Sequence, residues 1–193
     1  GNIMIDTLEA NRRAASELSL TDIIRDNKLP GTILPNITAR LLNNNEQQAD
    51  NHSYAVLTMH RPSNVDQQEI LEPILNFLTD EVGSDMPVIW PVHPRTEKML
   101  KLFGLWEKAV RCTDLALLHP VGYHEMLRLN IQAAIMLTDS GGLQEECCVL
   151  GTPCLTLRWN TERPVTLKKY GGASVLVGNN INRIREEYKK ALN

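Results

Sequence analysis

The chain alternates between two hydrophobic patterns from about residue 52 onward. Short apolar or β-branched runs are separated by segments whose apolar residues recur every three or four positions, the patterns of buried strands and amphipathic helices. Residues 133–137 are apolar throughout, as expected for a strand covered on both faces. Strands are predicted over residues 54–58, 87–92, 115–118, 133–137, 153–157 and 173–177. Helices are predicted over residues 67–79, 95–103, 123–130, 142–150 and 180–192.

This order of elements predicts an α/β fold with a doubly wound, mostly parallel, Rossmann-like sheet. We assign residues 51–193 to this domain. We assign residues 1–50 to a lead-in, with an amphipathic helix over 5–20, two breakers and a polar connector over 41–50. Doubly wound sheets bind ligands at the carboxyl ends of their strands, near the switch in strand order, so candidate chemistry is expected there.

The composition narrows the class of protein. The chain has 193 residues, 42% hydrophobic positions and a net charge of −3, which is typical of a globular domain and excludes a mainly disordered one. Twenty basic against 23 acidic residues argue against a nucleic-acid partner. No apolar run approaches the roughly 18 residues that a membrane span needs. The four cysteines form no CxxC pair, so we expect free thiols and a cytoplasmic location.

The most informative motif lies between a predicted buried strand and a predicted helix, over residues 138–146. Gly141 and Gly142 allow an anion to approach the backbone, the helix N-terminus offers unpaired N–H groups, and Ser140 adds a hydroxyl. This arrangement predicts a phosphate or diphosphate cradle, with Glu146 placed to accept hydrogen bonds from ribose hydroxyls. The alternative is a serine N-cap with glycines for close packing.

Histidines follow the first three predicted strands. His60 and Arg61 come directly after the first, where His60 can assist a departing phosphate and Arg61 can stabilise negative charge. His93 follows the second strand and His119 the third. The alternative for His60 is a capped core histidine. The three histidines lack the spacing of a zinc motif, so no metal and no cofactor are expected.

Two arginines and a glutamate follow the fifth predicted strand. Arg158, Glu162 and Arg163 suit a diphosphate or a charged partner domain at this edge of the sheet. The alternative is a surface salt bridge between Glu162 and an arginine.

Taken in order, these motifs resemble the carboxyl-terminal domain of the non-hydrolysing UDP-N-acetylglucosamine 2-epimerases. The resemblance runs from residue 1 to about 192. It rests on these blocks: Gly1-Asn2 with Asp6, Thr58-Met59-His60-Arg61 with Asn64, Pro91-Val92-His93-Pro94, Tyr123, Thr138 to Glu146, Leu150-Gly151-Thr152-Pro153, and Arg158 with Thr161-Glu162-Arg163-Pro164.

The resemblance implies an enzyme of two doubly wound domains in a glycosyltransferase-B-type arrangement. Such enzymes interconvert UDP-N-acetylglucosamine and UDP-N-acetylmannosamine by anti elimination of UDP and re-addition, as part of cell-surface polysaccharide synthesis. The implied roles are these: Ser140, Gly141 and Gly142 hold the diphosphate, Glu146 the ribose, Arg61 and Arg158 the nucleotide, His60 assists UDP departure as the catalytic residue, and His93 lies where some members bind a second, activating UDP-sugar.

The resemblance also implies partners and departures. The family's candidate bases belong to an amino-terminal domain, so we expect this chain to begin at the domain junction, to bind UDP weakly alone and not to epimerise. Full-length members are commonly homodimers. Val165 stands where a glutamate is usual, and the final helix is expected to be truncated. The alternatives are a hydrolysing epimerase, a related glycosyltransferase of the same fold, and a stand-alone nucleotide-binding regulatory domain.

Overall fold

A computed structural model describes residues 3–42 and 53–192 and contains one parallel sheet. Six strands pair in the order β3-β2-β1-β4-β5-β6, and every neighbouring pair is parallel. The strands are β1 (Ala55–Thr58), β2 (Val88–Pro91), β3 (Leu115–Leu118), β4 (Ile135–Thr138), β5 (Cys154–Thr156) and β6 (Ser174–Leu176). The predicted doubly wound Rossmann-like sheet is therefore confirmed. The predicted strands agree with these bounds to within two residues at each end.

Helices connect and cover the strands. They are α1 (Ile3–Ser16), α2 (Leu20–Asn27), α3 (Pro35–Ile37), α4 (Pro62–Val65), α5 (Gln68–Phe77), α6 (Gly83–Asp85), α7 (Pro94–Leu102), α8 (Trp106–Arg111), α9 (Tyr123–Ile131), α10 (Gly141–Leu150) and α11 (Ile181–Leu192). Short π-helical turns follow α3 and α5, at Thr38–Leu42 and Leu78–Val82. Two 3₁₀ turns, Pro164–Thr166 and Lys168–Tyr170, follow β5.

The helix predicted over residues 5–20 is confirmed over Ile3–Ser16, but its extension to residue 20 is wrong. The chain breaks after α1, and Ser19 caps α2 by accepting a hydrogen bond from the Asp22 N–H at 3.2 Å. That bond lets a second helix begin in a new direction. Gly1-Asn2, His52 and the predicted connector from residue 43 onward lie outside the described residues.

Apolar side chains cover the sheet on both faces. Leu57 of β1 and Trp90 of β2 pack with α5, α7 and α11 on one face, whereas Val56 and Ile89 pack with α2 and α9 on the other. All four side chains are fully buried. This two-sided burial explains why the strands lack a polar alternation. None of the described helices is long and apolar enough to cross a membrane.

The order of strands reverses between β1 and β4. These two strands lie side by side at the centre of the sheet, and the hydroxyls of Thr58 and Thr138, their last residues, are 2.7 Å apart. The loops that leave β1 and β4 turn toward opposite faces and leave a crevice between them, so both predicted anion-binding motifs meet at one place.

Candidate functional site

A buried carboxylate, Asp139, lies at the base of the crevice. Its Oδ2 accepts hydrogen bonds from the backbone N–H groups of His60 and Arg61, at 2.9 and 2.8 Å, and from Asn64 Nδ2 at 3.0 Å. Its Oδ1 lies 2.8 Å from His60 Nδ1. The loop after β1 is therefore folded around one side chain from the loop after β4.

The contact between His60 and Asp139 controls the charge of both groups. Hydrogen bonding to Asp139 raises the pKa of His60 above its ordinary value, despite the opposing effects of burial and of Arg61. Burial raises the pKa of Asp139, but His60 and the two backbone N–H groups outweigh it and leave the pKa below its usual range. Asp139 is 0% exposed, whereas the His60 side chain is 44% exposed, so the imidazole can reach a ligand.

Arg61 joins the two loops a second time. Its Nε donates to the backbone carbonyl of Asp139 at 3.0 Å, and the residue precedes α4. The guanidinium is half-buried at the crevice, beside the motif that follows β4. A cation is thus held next to the N-terminus of α10.

The N-terminus of α10 matches both interpretations of the glycine motif. Ser140 is the N-cap, and its Oγ accepts a hydrogen bond from the Leu143 N–H at 3.4 Å. The capping alternative is therefore confirmed for Ser140. Gly151 ends the helix in the left-handed conformation, at φ 77°. The N–H groups of the first turn still point toward the crevice, as at any helix start.

Two guanidinium groups lie over this helix start. A Cβ added to Gly141 would lie 2.3 Å from Arg163 Nη1 and 3.4 Å from Arg158 Nη1. Glu162 bridges them, with Oε2 2.7 Å from Arg158 Nη2 and Oε1 2.9 Å from Arg163 Nη1. Arg163 Nε also contacts Glu145 Oε1 at 2.8 Å.

Hydrogen bonding from Arg158 lowers the pKa of Glu162 to about 2, so this carboxylate is ionised at neutral pH. The salt-bridge alternative for Glu162 is confirmed. Glu162 is largely exposed whereas Arg158 is buried, so an incoming anion could replace the carboxylate without moving the buried arginine. The resemblance assigns no role to Arg163, although its guanidinium lies against Gly141. Val165 is exposed in the 3₁₀ turn that follows.

Glu146 lies one turn into α10 and is only 6% exposed. Burial raises its pKa to about 7, and the nearby Asn130 side chain offsets part of this increase. Its Oε2 is buried without a hydrogen-bond partner among the described residues. Such a group costs free energy unless a donor reaches it, which makes it a candidate acceptor for a ligand hydroxyl.

The histidines after β2 and β3 have different environments. The exposed His93 caps α7 by accepting the Arg95 N–H at its Nδ1, 3.1 Å away, and its ring centroid is 5.3 Å from that of His60. His119 follows the edge strand β3, and its backbone N–H donates to the backbone carbonyl of Asn27. Within residues 3–42 and 53–192, no group of three or more His, Cys, Asp or Glu could hold a metal ion.

Known proteins share both the sequence and the fold. All 193 residues match the family described as UDP-N-acetylglucosamine 2-epimerase. The chain is 43% identical over 141 residues to the UDP-N-acetylglucosamine 2-epimerase of Methanocaldococcus jannaschii, which covers 72% of this chain and 38% of that enzyme. It is 31% identical over 195 residues to the UDP-2,3-diacetamido-2,3-dideoxy-D-glucuronate 2-epimerase of Pseudomonas aeruginosa, which covers 98% of this chain and 50% of that enzyme.

Solved structures of related proteins resemble the fold of this chain. The M. jannaschii UDP-GlcNAc 2-epimerase in complex with UDP-GlcNAc and UDP matches with a TM-score of 0.76 and 35% identity, over 100% of this chain and 47% of that one. The E. coli heptosyltransferase WaaC, at 17% identity and a TM-score of 0.50 over 72% of this chain and 43% of that one, shares only the fold. The chain thus spans half or less of the length of these relatives, and it belongs to the UDP-N-acetylglucosamine 2-epimerase family.

Proposed function

We propose that the chain is the UDP-binding half of an enzyme that interconverts UDP-N-acetylglucosamine and UDP-N-acetylmannosamine. One observation carries the proposal: at the β1–β4 switch point, the His60–Asp139 pair and the start of α10 with its arginines face one crevice. Cations and backbone N–H groups of this kind stabilise a diphosphate. In this proposal Ser140, Gly141 and Gly142 hold the diphosphate.

The remaining site residues fit the same ligand. Arg61 and Arg158 neutralise the nucleotide, and Glu146 accepts the ribose hydroxyls with its buried carboxylate. His93 lies close enough to His60 to contribute to a second sugar-nucleotide site. Residues 51–193 form the UDP-binding domain, and residues 1–50 lead from an amino-terminal domain that supplies the base. The complete enzyme is a cytoplasmic homodimer and requires no cofactor.

The reaction divides between the two halves. The C1–O bond of the sugar breaks and its electron pair leaves with UDP, while a base takes the proton from C2 and the C2–H electron pair forms the C1=C2 double bond. Re-addition of UDP to C1 and of a proton to the opposite face of C2 gives the epimer. His60 and the α10 N-terminus stabilise the charge that develops on the leaving diphosphate.

Calorimetric titration of UDP into the 193-residue chain tests the binding half. Ser140→Ala is expected to weaken UDP binding about tenfold, since a hydrogen bond to a charged group contributes about 1.5–3 kcal/mol. Ser19→Ala is the matched control, because it removes the same kind of cap from α2. Both variants should lose about 1 kcal/mol of stability. Failure of the unmodified chain to bind millimolar UDP, or equal UDP affinity in the two variants, contradicts the proposal.

Product analysis on the protein with both domains tests the reaction. Equilibration of the two UDP-sugars without accumulation of UDP is expected. Accumulating free UDP would instead indicate a hydrolysing epimerase, transfer of the sugar to an acceptor would indicate a glycosyltransferase, and nucleotide binding without turnover would indicate a regulatory domain. Selective turnover of a UDP-diacetamido-glucuronate would place the chain with its P. aeruginosa relative.

A further inference from the structure

We propose that Asp139, supported by Asn64, is a positioning residue that holds the His60 ring with Nδ1 toward the protein and Nε2 toward the crevice. The proposed function assigns no separate role to Asp139 or Asn64. The inference rests on the proposed function only in naming a diphosphate as the anion that Nε2 meets.

The hydrogen bonds of Asp139 fix the carboxylate in one rotation. All three donors, the N–H groups of His60 and Arg61 and the amide of Asn64, converge on Oδ2. Oδ1 is left to contact His60 Nδ1 at 2.8 Å. Asn64 is itself buried and held from the far side, because its Nδ2 also donates to the Leu157 carbonyl at 3.0 Å. The plane of the carboxylate is therefore held in place, and tilting it away from His60 would break buried hydrogen bonds.

This geometry sets the tautomer of His60. A carboxylate oxygen offers only lone pairs and would repel a bare Nδ1 at 2.8 Å, so this contact favours a proton on Nδ1 and a neutral form with a bare Nε2. Two other histidines are arranged in the opposite sense. His93 Nδ1 accepts the Arg95 N–H, and His124 Nε2 lies 2.8 Å from the Asn11 carbonyl oxygen Oδ1. Both of these rings therefore carry their neutral-state proton on Nε2.

The charged groups around His60 shift its pKa in opposite directions. Asp139 from the β4 side favours the imidazolium, Arg61 on the same loop opposes it, and His93 from the β2 side faces the ring at 5.3 Å. When His60 is protonated, Nε2–H becomes a charge-assisted donor directed away from Asp139. An anion in the crevice would bind that donor, so binding and protonation of His60 are linked.

The first test needs no substitution. Nitrogen-detected NMR of the imidazole side chains in the ligand-free chain, at a pH above the titration of His60, reports which nitrogen carries the proton. His60 is expected as the Nδ1–H tautomer, with His93 and His124 as Nε2–H tautomers in the same spectrum. A neutral His60 with its proton on Nε2 overturns the proposal.

The second test removes the charge of Asp139. In Asp139→Asn the pKa of His60 is expected to fall below that of the unmodified chain, and UDP binding near neutral pH to weaken about tenfold. Asp66→Asn is the matched control, because this half-buried carboxylate pairs with Arg95 instead of a histidine. It should leave the His60 titration unchanged. An unchanged His60 titration in folded Asp139→Asn overturns the proposal.

The two hypotheses fail separately. A His60 in the Nδ1–H form, in a chain that does not bind UDP, supports the positioning role and contradicts the proposed function. UDP binding by a chain whose His60 is the Nε2–H tautomer supports the proposed function and contradicts the positioning role. If Asp139→Asn does not fold, the tautomer in the unmodified chain still decides.

Discussion

Two adjacent glycines at the start of α10 are expected to respond differently to alanine. A Cβ on Gly141 would point at the guanidinium groups, 2.3 Å from Arg163 Nη1 and 3.4 Å from Arg158 Nη1. A Cβ on Gly142 would point toward α1, at an ordinary 3.4 Å from Met4 Cε. Neither glycine has a positive φ, so alanine fits the backbone at both positions. The pair therefore separates the side of the helix start that faces the crevice from the side that faces the core.

The expected magnitudes follow from these contacts. Alanine in place of a helical glycine stabilises by about 0.5–1 kcal/mol, and less in a first turn, so Gly142→Ala should gain about 0.5 kcal/mol. Gly141→Ala receives the same gain but displaces Arg163, whose partly buried ion pair with Glu145 contributes about 1 kcal/mol. The net effect is a loss of about 0.5 kcal/mol. For a domain of this size the two melting temperatures should differ by about 2–4 °C.

Thermal unfolding followed by circular dichroism, together with calorimetric titration of UDP, measures both effects. Gly141→Ala is expected to weaken UDP binding about tenfold, since the methyl group occupies the space of the arginines. Gly142→Ala should bind UDP within about twofold of the unmodified chain, because its backbone N–H is retained. Equal loss of UDP affinity in both variants, or equal melting temperatures, would refute the reasoning.

Two further predictions concern buried polar groups. Because burial raises the pKa of Glu146 from its ordinary 4.5 to about 7, this group should lower the stability of the chain by up to roughly 3 kcal/mol as pH rises from about 4.5 to about 7, and by no more above that range. Urea unfolding at pH 5 and pH 8 should show a smaller decline in Glu146→Gln, and an identical decline would contradict the assigned burial. Asn64→Leu should lower the free energy of unfolding by about 2–4 kcal/mol, because Asp139 and the Leu157 carbonyl both lose a buried donor. Asn179→Leu, at a more exposed bond to a carbonyl, should cost under about 0.5 kcal/mol in the same assay.

The sheet could be predicted from local pattern because the strands are short and apolar, and because β2 to β5 are buried along their whole length. β3 was predicted at its observed bounds, Leu115–Leu118. The short helices α4 and α8 were missed, since four to six residues do not establish a helical period. The break before α2 was missed because apolar spacing continues across it. Ser19 followed by Asp22 was the available signal, as a cap three residues ahead of an acidic side chain.

The candidate site was only partly predictable for a different reason. His60 and the glycine motif could be found because each lies where a strand was predicted to end. Asp139 was visible only as one letter of that motif, since its role depends on contacts with residues 78 and 79 positions away. No local pattern reports that the loop after β1 folds over this carboxylate. Arg163 was undervalued because its proximity to Gly141 is likewise tertiary.

The central position of β1 has a consequence for folding. Strands β1 to β3 pair only among themselves, as do β4 to β6, apart from the seam where Thr58 meets Thr138, 80 residues away. Closing so long a loop costs entropy and slows assembly, so we expect the seam to form late in folding. Asp139 joins the loop after β4 to the loop after β1 at that seam. The crevice therefore exists only after both halves of the sheet have docked. A nucleotide that contacts both sides of the crevice would stabilise the assembled chain against unfolding.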